Sequence, residues 1–159
     1  MKIFDATSLI AFLWELDYPE GLRLLSLRHR IVVPSGVVSE VTRDRSRASL
    51  RALLAAGVIA EQAITESEVE KIRALHPQLG RGECEVLAIA ENTDSKEPPV
   101  LVCDDKVARS KFPNLRFVWT EELLDYMQRR GLIEEGQHKV LLERLAKSTF
   151  YSRVKLHEP

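Results

Sequence analysis

Short runs of consecutive apolar residues alternate with longer stretches of helical periodicity along this chain. Residues 2–5 read as a first buried strand. Leu9, Ile10, Leu13 and Leu16 then recur at helical spacing, which continues through Leu22, Leu24 and Leu25 to about Leu27. Ile31, Val32 and Val33 form a second strand, stopped by Pro34. A helix is predicted over about Ser35–Asp44, and another over Arg47–Ala56 that ends at Gly57 in the usual C-terminal position. Val58–Ile64 is a further extended stretch. Thr65-Glu66-Ser67-Glu68 is a capping signal that opens a helix to about Leu75, broken by His76-Pro77. Gly80-Arg81-Gly82 leads into a helix over Glu83–Glu91 that is apolar nearly all round, so it belongs in the interior. Val100–Cys103 and Leu115–Trp119 are strands, and helices over about Glu121–Arg130 and Glu135–Lys147 close the pattern. Strands alternating with helices in this way predict an α/β fold built on a parallel sheet, with one domain over residues 1–147 and a loosely attached tail over 148–159.

Composition agrees with one soluble domain. The chain has 159 residues, 45% of them hydrophobic and 30% charged, enough to bury a real core. No apolar run approaches the roughly 20 residues needed to cross a membrane, and Asp5 interrupts the start before a secretory stretch can form. A cytoplasmic location is therefore expected. Cys84 and Cys103 lack any CxxC or Cys/His ligand spacing, so both are expected as buried, reduced thiols. The formal net charge of −1 argues against a nucleic-acid partner unless the acids are concentrated in one place.

The acids do point to such a concentration. Asp5 ends a buried strand, and Asp104 and Asp105 follow another. In open parallel sheets ligands bind beyond the carboxyl ends of the strands. Glu40 falls at the edge of a buried helical face, beside Val37 and Val41. Glu83 shares the face that Val86, Leu87 and Ala90 bury. A carboxylate on a buried face is costly unless it is paired or binds a metal. Each acid taken alone could be an ordinary helix cap or first-turn residue. Several converging without a matching Lys or Arg repel one another, and a divalent cation resolves the repulsion. An all-oxygen site suits Mg²⁺ or Mn²⁺, as one ion or two, rather than zinc. A hydrated ion of that kind, oriented by a further carboxylate, can deliver water to a phosphodiester. Setting these five acids aside changes the net charge from −1 to +4, a mildly basic remainder.

With these residues in place, the chain resembles the PIN-domain family, in particular its VapC-like toxins, from Met1 to about Leu132. The resemblance rests on Asp5-Ala6-Thr7-Ser8-Leu9-Ile10, on Pro34 with Val37-Val38-Ser39-Glu40-Val41, on Gly82-Glu83-Cys84-Glu85-Val86-Leu87-Ala88-Ile89-Ala90, and on Leu101-Val102-Cys103-Asp104-Asp105. It implies a three-layer α/β/α sandwich and a Mg²⁺- or Mn²⁺-dependent endoribonuclease. The acidic cluster it implies is Asp5, Glu40, Glu83 and one of Asp104 and Asp105, with Thr7 as a hydroxyl near the metal waters. Two departures from the family pattern stand out. The third acid is Glu instead of the commoner Asp, and Cys103-Asp104-Asp105 leaves the register of the fourth acid open. Glu85 reads either as a support to the cluster or as an ordinary helix residue. The resemblance also implies a toxin–antitoxin role, a small antitoxin protein as partner, and a homodimer.

Arg43, Arg45, Arg47 and Arg51 follow Glu40, while Arg81, Arg109 and Lys111 lie near the other acids. They are candidate contacts to a single-stranded RNA backbone, or else a solvated surface. Two competing readings remain. A haloacid-dehalogenase-like phosphatase would use Asp5 as nucleophile, but it wants a second acid two residues on, where this chain has Thr7. A PIN-like module that binds RNA or protein without cutting would be expected to lack one of the acids.

Overall fold

A computed structural model describes residues 1–148, so the tail expected over 148–159 lies, from residue 149, outside the described residues. Five strands form one sheet in the order β3-β2-β1-β4-β5. They are β1 (Lys2–Phe4), β2 (Ile31–Pro34), β3 (Ile59–Gln62), β4 (Val100–Val102) and β5 (Arg116–Val118), and every neighbouring pair runs parallel. Ile3, Phe4, Val32, Val33, Leu101 and Val102 are all buried, as expected of strands covered on both faces. The architecture is the α/β/α sandwich.

The helices are α1 (Ala6–Ile10), α2 (Pro19–Ser26), α3 (Ser35–Glu40), α4 (Asp44–Ala55), α5 (Glu66–Leu75), α6 (Arg81–Asn92), α7 (Lys106–Lys111), α8 (Thr120–Arg129) and α9 (Glu135–Lys147). Central among them is α6, buried without a break from Gly82 to Ala90 except at Glu83, and packed on β1, β2, α3 and α5. Among the described residues no helix is long and apolar enough to cross a membrane. Cys84 and Cys103 are free, buried thiols.

Several boundaries differ from the sequence expectation for physical reasons. The first helical stretch is broken: α1 passes into a π-helical turn over Ala11–Glu15, and Asp17 then takes a left-handed φ of 47° before Pro19 starts α2. The helix expected to reach Asp44 stops at Glu40, because Val41 is extended. Periodicity had not marked α7; the Asp105 carboxylate caps it, accepting from the N–H groups of Val107 and Ala108. Finally α6 begins at Arg81, two residues earlier than expected, which places Gly82 inside the helix.

Sheet order positions the site. From β1 the chain moves to β2 and β3 on one side, then returns to β4 and β5 on the other. The reversal falls between β1 and β4, where open α/β sheets bind ligands. Phe4 pairs with Val102, and the Asp5 N–H donates to the Val102 carbonyl at 3.1 Å, so both strands end level with each other.

Candidate active site

A cleft of about 340 Å³ opens at that point, lined by Asp5, Thr7, Glu40, Gly80, Gly82, Glu83 and Asp105 together with Ala6. Its four carboxylates come from four separate elements: the end of β1, the end of α3, the first turn of α6 and the cap of α7. Among the described residues lining it there is no lysine, arginine or histidine.

Asp5 is the most enclosed of the four, at 8% exposure. Its carboxylate caps α1, accepting the Ser8 N–H at 2.8 Å. Burial pushes its pKa up to about 6; hydrogen bonds from Ser8 and the Cys103 thiol pull the other way, and the Asp104 carboxylate adds to the rise. Burial also raises the Cys103 thiol, which therefore stays protonated and acts as a donor. Glu83 caps α6 by accepting the Gly80 N–H at 2.9 Å. Burial raises its pKa, and the adjacent carboxylate of Asp105 and the more distant one of Glu40 raise it further. Glu40 is exposed overall, with its carboxylate turned onto Gly82. Its pKa is raised by desolvation and by Glu85.

Asp104 is placed differently. It is buried, and it accepts from Ser8 Oγ at 2.7 Å, Thr120 N–H at 2.8 Å and Thr120 Oγ1 at 2.5 Å. Its oxygens are thus committed to tying α1 and α8 together behind the cleft, while Asp105 faces into it. Asp104→Asn is accordingly expected to destabilise the fold by about 1–2 kcal/mol, the cost of weakening hydrogen bonds to a buried carboxyl group, and to leave any activity of the cleft within about threefold. Asp105→Asn is expected to keep the cap and the fold, and to lose any metal-dependent activity of the cleft by about 10²-fold. Urea melts and activity assays of the two variants, compared side by side, check this; the reversed pattern would exchange their roles.

Glu85 joins the site from behind. It is buried, accepts the Gly36 N–H at 2.6 Å and holds Arg81 Nε at 3.0 Å. A Cβ on Gly36 would meet Glu85 Oε2 at 2.5 Å, and a Cβ on Gly82 would meet Glu40 Oε1 at 2.5 Å. Helices α3 and α6 therefore cross with each one's glutamate seated on the other's glycine.

The donor set suits a hard divalent cation: four carboxylate side chains and a hydroxyl, with no competing positive charge in the cleft. As placed, no group of three or more His, Cys, Asp or Glu among the described residues stands close enough to grip one ion. Closing onto an ion calls for side-chain rotation, and Glu40 and Glu83 have the torsional freedom for it.

The whole chain, residues 1–159, matches the family model described as PIN domain. The chain belongs to the PIN-domain family. No curated protein matches it. PIN domains are typically nucleases and generally use divalent metal ions, which the acidic cleft fits.

In this PIN domain the expected arginines separate into distinct environments. Arg45 pairs with Asp17 at 2.7 Å, and Arg81 is held by Glu66 at 2.7 Å as well as by Glu85. Arg109 pairs with Glu122 at 3.2 Å and lies over the Trp119 ring. Arg43 stacks 3.9 Å above the Trp14 ring. Arg47 is exposed beside Arg51. Sequence reasoning did not find Ser8, Thr120 or the two glycines. Thr120 did carry a signal, since a Thr ahead of Glu121-Glu122 is a common helix start. The seats on Gly36 and Gly82 depend on how two helices cross, which no local pattern records.

Proposed function

We infer that this PIN domain is a Mg²⁺- or Mn²⁺-dependent endoribonuclease acting on single-stranded RNA. The observation that carries the reading is the cleft itself: four carboxylates from four elements, at the sheet's reversal point, with no cation among its lining side chains. Asp5, Glu40, Glu83 and Asp105 would hold the ion. When bound it supplies a water activated near neutral pH and positive charge for the scissile phosphate. The protein's own share is positional. Asp5 is held rigidly by the α1 cap and the Cys103 thiol. Glu83 and Asp105 stand against each other, and their mutual repulsion favours a cation between them. Thr7, exposed at the rim, offers a hydroxyl to waters in the cleft.

Cleavage of an end-labelled single-stranded RNA by the purified full chain is expected to require Mg²⁺ or Mn²⁺ and to fall by about 10²–10⁴-fold in Glu83→Gln. Cutting that survives EDTA, or that is equal in wild type and variant, would remove the mechanism. A toxin role with a small antitoxin partner extends this reading on the strength of the sequence resemblance. Growth arrest on induced expression, relieved by a small protein encoded next to it, is the corresponding test.

A further inference from the structure

A second concavity, of about 390 Å³, lies between α3 and α4. Its apolar walls are Val38 and Val41 from α3 and its C-terminal cap, and Leu50 and Leu54 from α4, joined by Arg47 and Arg51. On α4 the positions 47, 50, 51 and 54 recur at three and four residues, so they share one face. It flanks the side of α4 that Ser46, Leu50 and Leu53 bury. It carries two exposed arginines and stays open.

Two further observations say what it takes. Arg45, Arg81 and Arg109 are paired with carboxylates and Arg43 is stacked on Trp14, whereas among the described residues Arg47 and Arg51 have no acid partner. Cations left unneutralised beside an apolar wall suit a polyanion that also carries apolar faces. The second observation is position: the groove's Val41 directly follows the cleft's Glu40, so both concavities border the C-terminal end of α3.

We propose that the α3–α4 groove is the substrate-binding subsite next to the cleavage point, where Arg47 and Arg51 contact successive phosphates of single-stranded RNA and the valine–leucine wall receives a base or ribose face. This rests on the nuclease reading and adds to it the track by which the strand reaches the acids. It also offers a chain of net charge −1 a local pair of cations for RNA, Arg47 and Arg51 on one face of α4.

The test is fluorescence anisotropy of a labelled single-stranded RNA on the full-length chain, in EDTA so that nothing is cut, over a range of salt. Each phosphate contact to a single strand contributes about 0.7 to the slope of log K against log salt, so the Arg47→Ala/Arg51→Ala double variant is expected to lose about 1.4 of that slope. Its Kd at low salt is expected to weaken by about tenfold or more, and the Arg47→Lys/Arg51→Lys variant, which keeps the charge, is expected to recover most of the slope. Circular dichroism of these surface variants should match wild type. An unchanged slope in the alanine variant, with wild-type cleavage intact, would overturn the groove assignment and leave the nuclease standing. An acidic peptide that binds as tightly as the RNA and depends on the same two arginines would also overturn it, handing the groove to a protein partner. A wild-type chain that cuts no RNA with either metal would bring down the nuclease reading, and the groove with it.

Discussion

Asp5→Asn is expected to abolish cleavage, by about 10³-fold or more, while making the metal-free protein more stable at neutral pH. The two effects share one cause. Asp5 is buried among apolar strands, and its pKa of about 6 in the folded protein lies above the ordinary aspartate value of about 3.9. The folded state therefore holds a proton that the unfolded chain gives up earlier. Stability from this group is complete below about pH 4, declines as pH rises to about 6, and is flat above that. The loss amounts to about 3 kcal/mol in order of magnitude. Asparagine has no charge to bury and caps a helix as well as aspartate does, so α1 is retained. Thermal melts in EDTA should show the variant ahead of wild type at pH 7.5 and level with it below about pH 4. The same linkage makes metal binding by the wild type pH-dependent: a cation must displace the proton, so Mn²⁺ affinity rises with pH up to about 6 and then levels. A variant no more stable than wild type at pH 7.5 would show that burying the Asp5 charge costs the fold nothing.

The second large effect is expected at Gly82. Alanine there puts a methyl group where Glu40 Oε1 now lies, 2.5 Å from the ideal Cβ position. The atom it meets is the far end of a flexible side chain, so the helices need not part. Alanine also favours the helical backbone over glycine by up to about 1 kcal/mol. Gly82→Ala is therefore expected to fold as well as wild type or slightly better. Its cleavage rate should nevertheless fall by about 10–10²-fold, because the glutamate is displaced from the cleft. Steady-state kinetics paired with urea melts separate the two quantities. A variant with full activity would show that the Glu40 seat on Gly82 is incidental.

Much of this arrangement was legible from residues alone. Asp5 and the Asp104-Asp105 pair could be placed at one sheet edge because buried parallel strands read as apolar runs and ligands gather beyond their ends. Glu83 could be placed on the inward side of α6 because Val86, Leu87 and Ala90 stand three, four and seven positions on, although it ends half-buried in the cleft instead of in the core. Thr65 announced the start of α5 through a local contact with Glu68, and that capping box is present. What stayed hidden depended on tertiary contact. Asp104 and Asp105 are equivalent in sequence, and only the Ser8 and Thr120 hydroxyls, distant in the chain, draw one inward and leave the other facing the cleft. Glu85 looked like one more helix residue because its partner, the Gly36 N–H, lies 49 positions away. The length of α6 was underestimated at its start because Gly82 is a poor helix former by intrinsic preference, and close packing overrides that preference.

The reciprocal seats at Gly36–Glu85 and Gly82–Glu40 make these four positions a single mutational unit. A change at any one alters what the other three can accept, so saturation libraries should show strong epistasis inside this quartet and near-additivity outside it. Redesign of the cleft for another substrate or ion would therefore have to vary the two glycines together with the two glutamates, since altering the acids alone leaves each replacement constrained by a neighbour shaped for the original.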